Sequence, residues 1–336
     1  MSVKTQEKMR AVIITKFGEP EVLKVEQVEA PQPERGEVRV RVIATSVNRA
    51  DVVQRLGNYP APPDCPQNIP GLEFAGIVDA IGHGAGDWKK GDRVFGLCGG
   101  GAYAEYVVVH SRTLAPIPAN LSFTEAAAIP EVFMTAYDAL VSQMRLVSGD
   151  NVLISAVGSG VGTAAVQIVK AMGARSIGTS RTKEKLEQAK QLGLDDGILT
   201  QDGKFADEVL KVTGGKGVDL VLELTGGAYV EEDIACLAPQ GRLIVVGLVA
   251  GAKANVNLGK VLSNRLEIKG TTMRRRPLEE KIQANNIFVK QVLPLFEKGL
   301  LKPIVDKTFK LEEAAEAHHF IQADKNFGKV ILSLES

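Results

Sequence analysis

The stretch from Val152 to Gly173, VLISAVGSGVGTAAVQIVKAMG, constrains the fold more than any other part of the chain. The apolar run Val152-Leu-Ile-Ser reads as a strand. A tight turn follows at Gly158, Gly160 and Gly162, and a helix then carries Val166, Ile168 and Val169. A strand, a glycine turn and a helix N-terminus form an anion site, because free backbone N–H groups and the positive end of the helix dipole point outward together. Glycines let a pyrophosphate approach the backbone and the helix approach the strand. The run GSGVGTA departs from the usual G-x-G-x-x-G, so its weight comes from its place inside a βαβ unit. A sharp glycine turn in another α/β protein is the competing reading.

The chain has 336 residues, too many for a typical single domain, so two domains are expected. Forty basic and forty acidic residues cancel, which argues against a nucleic-acid or anionic-membrane surface. The one notable basic run, Arg274-Arg275-Arg276, is expected to be a solvated loop. Cys65, Cys98 and Cys236 lie far apart and show no C-x-x-C spacing, so reduced, intracellular thiols are expected rather than disulfides. The start, MSVKTQEKMR, lacks the apolar core of a secretory signal. No apolar run reaches the length of a membrane span. Together these make a soluble, cytoplasmic protein the expectation.

Residues 10–115 are β-rich. Arg10–Thr15, Val38–Ala44, Gly76–Ile81 and Ala104–Val109 are short, β-branched and bounded by Gly, Pro or Asp. Thr124 is the expected N-cap of a helix that opens near residue 124. From 151 to 273 strands and helices alternate: strands at Val152–Ser155, Ser176–Thr179, Leu220–Glu223, Leu243–Val246 and Arg265–Lys269, and helices at Thr163–Met172 and Thr182–Leu192. Such alternation implies a parallel sheet with right-handed crossovers. A long helical stretch after Pro277 and a final strand, Lys329–Leu334, complete the chain. The fold class is α/β, with a doubly wound cofactor domain inserted in a β-rich domain built from both chain ends.

In an NAD-binding unit of this type an Asp or Glu about 20 residues past the glycines holds the ribose 2′-OH. Here that place reads Gly178-Thr179-Ser180-Arg181-Thr182, with Lys185 one turn on and no carboxylate. Hydroxyl donors and cations suit a 2′-phosphate, which Arg can bind with two hydrogen bonds. The cofactor is therefore read as NADPH. The residues could also be a solvated helix cap, and the two roles are compatible.

Several segments carry a resemblance: Val47-Asn-Arg-Ala-Asp51, Gln54-Arg-Leu-Gly-Asn-Tyr-Pro60, Gly71-Leu-Glu-Phe-Ala-Gly76, Ala126-Ala-Ala-Ile-Pro-Glu131 and Gly160-Val-Gly-Thr-Ala-Ala165. In order and spacing they resemble the zinc-free quinone oxidoreductases of the medium-chain dehydrogenase/reductase superfamily, over almost the whole chain. The resemblance implies a GroES-like catalytic domain at 1–133 and 274–336 and a Rossmann NADPH-binding domain at 134–273. Zinc-dependent alcohol dehydrogenases of the superfamily carry a catalytic Cys where this chain has Asn48, and a His-Glu pair where it has Leu72-Glu73. Zinc needs a cluster of His, Cys or carboxylate ligands. His83, His110, His318 and His319 form none with the cysteines in the sequence, so no zinc is expected.

The resemblance also implies roles. Asn48 and Tyr59 flank the substrate side of a cleft between the domains, and Thr135 lies near the nicotinamide. Tyr59 could hydrogen-bond a quinone oxygen or donate a proton. The Asn48 amide could hold a carbonyl or position the nicotinamide. Glu131 is expected to cap the helix carrying Thr135, and Asp51 to pair with Arg55 at i,i+4 spacing. The cofactor residues are Gly158, Ser159, Gly160, Val161, Ser180, Arg181, Thr182, Lys185, Thr200, Gly247, Leu248, Asn326 and Lys329. Thr200 stands where relatives often place a tyrosine, which loses stacking but keeps a donor.

Three functions fit. The first is NADPH-dependent reduction of small quinones, which are electrophilic enough to need mainly proximity and orientation. The second is reduction of an activated alkene, with Tyr59 as proton donor. The third, on the precedent of crystallins related to the family, is cofactor binding with a structural or RNA-binding role. An edge strand at Arg265–Lys269 implies a homodimer. A small quinone or conjugated carbonyl is the expected partner, with no nucleic acid and no membrane.

Overall fold

The computed structural model describes residues 7–335. Of the segment read for a secretory signal, the first six residues lie outside the described residues. The chain divides into two units, one of residues 1–131, 274–298 and 303–336, the other of residues 132–273 with 299–302.

The first unit opens with β1 (Lys8–Ile14), β2 (Leu23–Glu29), β3 (Glu37–Val47), β4 (Glu73–Ile81), β5 (Arg93–Leu97), β6 (Tyr106–His110) and β7 (Leu114–Pro116). The second unit holds β8 (Asn151–Ile154), β9 (Arg175–Ser180), β10 (Asp196–Leu199), β11 (Val218–Glu223), β12 (Leu237–Val245) and β13 (Glu267–Gly270). The chain then returns to the first unit with β14 (Val305–Lys310) and β15 (Lys329–Ser333).

In the first unit β1 and β2 form a hairpin, and a seven-stranded sheet runs β14-β15-β3-β4-β5-β7 with β6 also on β3. The central strand β3 is long and almost wholly buried, as its run of Val and Ile requires. It pairs antiparallel with β15, Val47 against Val330, and with β4, Thr45 against Phe74. One step past those pairs, Asn48 faces Lys329 and Ser46 faces Glu73. That register, set by hydrophobic strands from three distant parts of the chain, gathers the polar cluster described below.

The second unit is a six-stranded parallel sheet in the order β10-β9-β8-β11-β12-β13. Counted from its own first strand this is 3-2-1-4-5-6, the doubly wound order of dinucleotide-binding sheets. Leu153, Ile177, Val221 and Leu243 are fully buried along its centre, each contributing about 1.5–3 kcal/mol of transfer free energy. The helix Gly160–Ala171 buries Val166, Ile168 and Val169, as its spacing demanded.

Local details differ from expectation. The helix near residue 124 is Phe123–Ala126, and Ser122 rather than Thr124 caps it: Ser122 Oγ accepts from the Glu125 N–H while Glu125 reaches back to the Ser122 N–H. The strand expected from Arg265 begins at Glu267, because Arg265 (φ 54°) ends the helix Leu258–Asn264 in a left-handed turn. Strands β2, β5, β7, β10 and β14 were not anticipated. Several are short, and β14 (VDKTFK) is too polar to stand out. The Arg274 end of the basic run is buried rather than solvated: its guanidinium donates to Gly99 O (2.7 Å), Tyr59 O (3.1 Å) and Gln54 Oε1 (2.6 Å). No helix of the described residues is long and apolar enough to cross a membrane.

Candidate functional site

In the second unit the glycine turn joins β8 to the helix that starts at Gly160. The backbone turns through Ala156 at φ 46°, and Ser159 caps the helix, its Oγ accepting from the Gly162 N–H at 3.0 Å. A Cβ on Gly162 would lie 2.6 Å from the carbonyl oxygens of both Ala156 and Val157, so only glycine lets helix and strand approach this closely. A Cβ on Gly158 would lie 2.8 Å from Cδ of Lys185. The missing side chain is what lets the Lys185 stem lie across the turn.

Strand β9 ends at Ser180, whose Oγ accepts from the Thr182 N–H at 3.2 Å. Arg181 and Thr182 are exposed beside it. The Thr200 N–H bonds Ser180 O, and the buried Thr200 hydroxyl makes no hydrogen bond among the described residues. An orphaned buried hydroxyl, a glycine cradle and basic side chains fit the phosphates of a dinucleotide. At the C-terminal end of β12, a Cβ on Gly247 would meet Leu224 O at 2.2 Å, and Leu248 beyond it is exposed. Thr135, on the helix Pro130–Tyr137, also has a buried hydroxyl without a hydrogen bond.

The sequence reading missed Glu223. It is buried at the end of β11, and Oε1 accepts from the Thr225 and Gly226 N–H groups, fixing the turn there. Asp233 lies against it in the same interior. Burial and the neighbouring Glu223 hold the Asp233 carboxyl well above its ordinary range.

In the first unit the register of β15, β3 and β4 assembles a dry ionic cluster. Glu73 is 0% exposed and Lys329 4%. The Lys329 ammonium donates to Glu73 Oε1 (2.8 Å) and Asn48 Oδ1 (2.6 Å). Asn48 Nδ2 donates to Glu73 Oε1 (2.9 Å), and Ser46 Oγ donates to the same oxygen. Both ends of the Asn48 amide are therefore engaged within the protein. Lys329, which was expected to reach the cofactor, pairs with Glu73 here. Asn326 donates to Gly328 O at 2.8 Å and shapes the bend before β15.

The other Glu73 oxygen accepts from the Glu131 backbone N–H at 2.7 Å. Glu73, not Glu131, thus caps the helix that carries Thr135, and a carboxylate at a helix N-terminus is favourable. Burial and the charge of Glu73 push the Glu131 carboxyl up to about 8. Asp51 is fully buried and does not pair with Arg55. Its oxygens accept from Asn48 N–H (2.8 Å), Gly71 N–H (3.1 Å) and Tyr103 O–H (3.3 Å). Burial raises its carboxyl to about 6 despite those donors. Arg55 bonds Gln322 instead. Behind Tyr103 lies His318, which burial keeps neutral by lowering it to about 3. Tyr59 is half-buried, with the guanidinium carbons of Arg274 and Arg275 at 4.9 and 5.3 Å from its ring centre.

The chain matches the alcohol dehydrogenase GroES-like domain over residues 34–119 and the zinc-binding dehydrogenase family over residues 160–288. Among the described residues no group of three or more His, Cys, Asp or Glu is arranged to hold a metal ion. Human quinone oxidoreductase is 34% identical over 98% of this chain and 99% of its own length. An NAD-dependent alcohol dehydrogenase structure is 37% identical, with a TM-score of 0.86 over 97% of this chain and 100% of the other. The Escherichia coli quinone oxidoreductase complexed with NADPH is 28% identical, with a TM-score of 0.86 over 97% and 99%. The chain is an oxidoreductase and belongs to the quinone oxidoreductase family of the medium-chain dehydrogenase/reductase superfamily.

Proposed function

We propose that this chain reduces small quinones with NADPH, without zinc. The observation that carries the cofactor choice is the end of β9: Ser180 stands where an NAD-binding sheet would present a carboxylate, with Arg181 and Lys185 beside it. The helix N-terminus at Gly160 and the capped Ser159–Val161 turn would take the pyrophosphate. Ser180, Arg181, Thr182 and Lys185 would hold the 2′-phosphate, with the Thr200 hydroxyl as a further donor. Gly247 and Leu248 would border the nicotinamide, and Thr135 would approach it. When bound, NADPH would supply a hydride from nicotinamide C4.

On the acceptor side, Tyr59 donates a hydrogen bond to a quinone oxygen, and its stacked arginines keep the ring in one orientation. Asn48 acts by holding Lys329 and Glu73 in register rather than by gripping the carbonyl. The chain works as a homodimer that pairs the free edge of β13, next to which Leu258 and Leu262 are 73% and 81% exposed. Light scattering that gives a monomer at micromolar concentration would refute the dimer.

The deciding experiment follows NADPH and NADH oxidation with an ortho-quinone, a para-quinone and an α,β-unsaturated ketone. Turnover of quinones with NADPH alone is expected. Turnover of the ketone alone would move the activity to alkene reduction. Cofactor binding without turnover of any acceptor would refute the reading.

A further inference from the structure

One cavity lies wholly within the first unit, between the loop that joins β4 to β5, the turn that joins β6 to β7 and the helix Leu278–Gln291. Its volume is about 340 Å³, the lower end of the range that takes small ligands. The walls are tied together by buried contacts. Phe288 is 1% exposed and stands edge-on to Phe95, with ring centres 6.1 Å apart, which anchors the helix. Asn285 is 3% exposed, and its Nδ2 donates to Arg112 O (3.1 Å) and Leu114 O (3.0 Å). Residues three and four apart share a helix face, so Asn286, Val289 and Lys290 line the cavity together. From the β4–β5 loop comes Trp88, whose Nε1 donates to Ser111 O at 3.0 Å. That bond holds the indole in place with no ligand needed to order it.

The chemistry of the lining is one-sided. Trp88, Leu114, Pro116 and Val289 make its apolar part. Its charged residues are Arg112 and Lys290, and no Asp or Glu lines it, in a chain whose basic and acidic residues balance at forty each. Arg112 pairs with Glu279 outside the lining, but their side chains are 52% and 72% exposed. Such a pair is weak in water, so an incoming anion can compete for the guanidinium.

We propose that this cavity is a second binding site, for a small aromatic carboxylate. The ring packs against Trp88 and Val289, since an indole offers a broad flat apolar surface. The carboxylate lies between Arg112, which can hold it with two parallel hydrogen bonds, and Lys290. None of these residues serves the dinucleotide or the acceptor in the reading above, so the two proposals stand or fall separately.

The test uses the full chain and 2-naphthoate as probe. Trp88 is the one tryptophan of the sequence, so its indole N–H gives a single nuclear magnetic resonance signal that reports the cavity directly. A saturable shift is expected, half-complete at about 0.1–1 mM and weaker as salt rises. The neutral isostere 2-naphthamide should bind at least about fivefold more weakly, and so should the probe to Lys290→Glu. Val289→Phe, which fills the cavity, should abolish the saturable shift. Saturating NADPH should leave the probe's affinity unchanged. Melting curves confirm that each variant is folded, and Lys290 is exposed, so its variant stays informative if Val289→Phe is not. No saturable shift up to about 10 mM, equal affinity for the amide, or wild-type affinity in either folded variant would overturn the assignment. Competition by NADPH would place the probe in the dinucleotide site and overturn it as well.

Discussion

Replacing Lys329 with Met should unfold the first unit more than any surface substitution could. Met matches the length of the lysine stem but removes the ammonium that sits 2.8 Å from Glu73 Oε1 and 2.6 Å from Asn48 Oδ1. Glu73 is 0% exposed, so water cannot replace the lost cation. Removing one member of a buried ion pair costs about 3–5 kcal/mol, chiefly from the uncompensated charge left behind. The remaining donors, Ser46 Oγ, Asn48 Nδ2 and the Glu131 N–H, keep the estimate at the lower half of that range. For a unit of this size each kcal/mol lowers Tm by roughly 2–4 °C, so a drop of about 6–15 °C is expected. The assay is urea unfolding and thermal melting followed by circular dichroism, on the wild type, Lys329→Met, Glu73→Gln and the double variant. If the cluster is a coupled pair, the double variant should recover at least half of the loss, because no charge is then stranded. A Lys329→Met protein within about 1 kcal/mol of the wild type, or a double variant as unstable as the sum of the singles, would refute the reasoning.

Other substitutions probe the second unit and the buried carboxyl. Gly162→Ala, whose Cβ would strike two carbonyl oxygens at 2.6 Å, should destabilise by about 1–3 kcal/mol and weaken cofactor binding, read by melting with and without NADPH. Arg181→Ala should weaken NADPH at least about 10-fold, near 1.4 kcal/mol, while NADH affinity changes little; equal losses for both would remove Arg181 from the phosphate. Asp51 is raised to about 6 in the folded state from 3.8. Its ionisation therefore costs the fold about 3 kcal/mol above pH 6, a cost lost as pH falls toward 4. Asp51→Asn should lack this component, so the wild type should gain stability over the variant as pH falls through that window; parallel urea curves from pH 7 to pH 4 would count against it.

Local patterning in the sequence was enough to read the second unit's architecture. Alternating apolar strands and amphipathic helices need only nearby residues to be recognised, and the glycine turn carries its reason within a few positions. The departures are equally physical. Thr124 and Ser122 are both plausible caps, and the reciprocal Glu125 bond selects Ser122. Arg265 and β13 differ by one left-handed residue that propensity does not reveal. The first unit's cluster was the least legible, because its parts are 25 to 281 residues apart in the chain. Nothing local shows that the β3 register sets Lys329 against Asn48. Glu73 was noted only as the place of a missing His-Glu pair, although it proves to be the shared acceptor. Arg274 looked solvated in an Arg-Arg-Arg run, since nothing local tells which of three arginines turns inward.

The pairing of Val47 with Val330 also orders how the protein is made. Strand β3 emerges from the ribosome well before β15, with Ser46 and Asn48 at its end, and the lysine that neutralises its neighbour Glu73 lies 256 residues beyond that carboxylate. Until β15 is synthesised, the carboxylate in β4 lacks the Lys329 ammonium and the Ala44–Val47 stretch of β3 lacks its partner. The inserted parallel sheet has all its strands by Gly270 and can close first. The N-terminal strands must wait, an exposed hydrophobic edge held open for the time it takes to translate the second unit. Long-range pairing of this kind slows folding, and here it makes the nascent chain's early third the part most in need of protection.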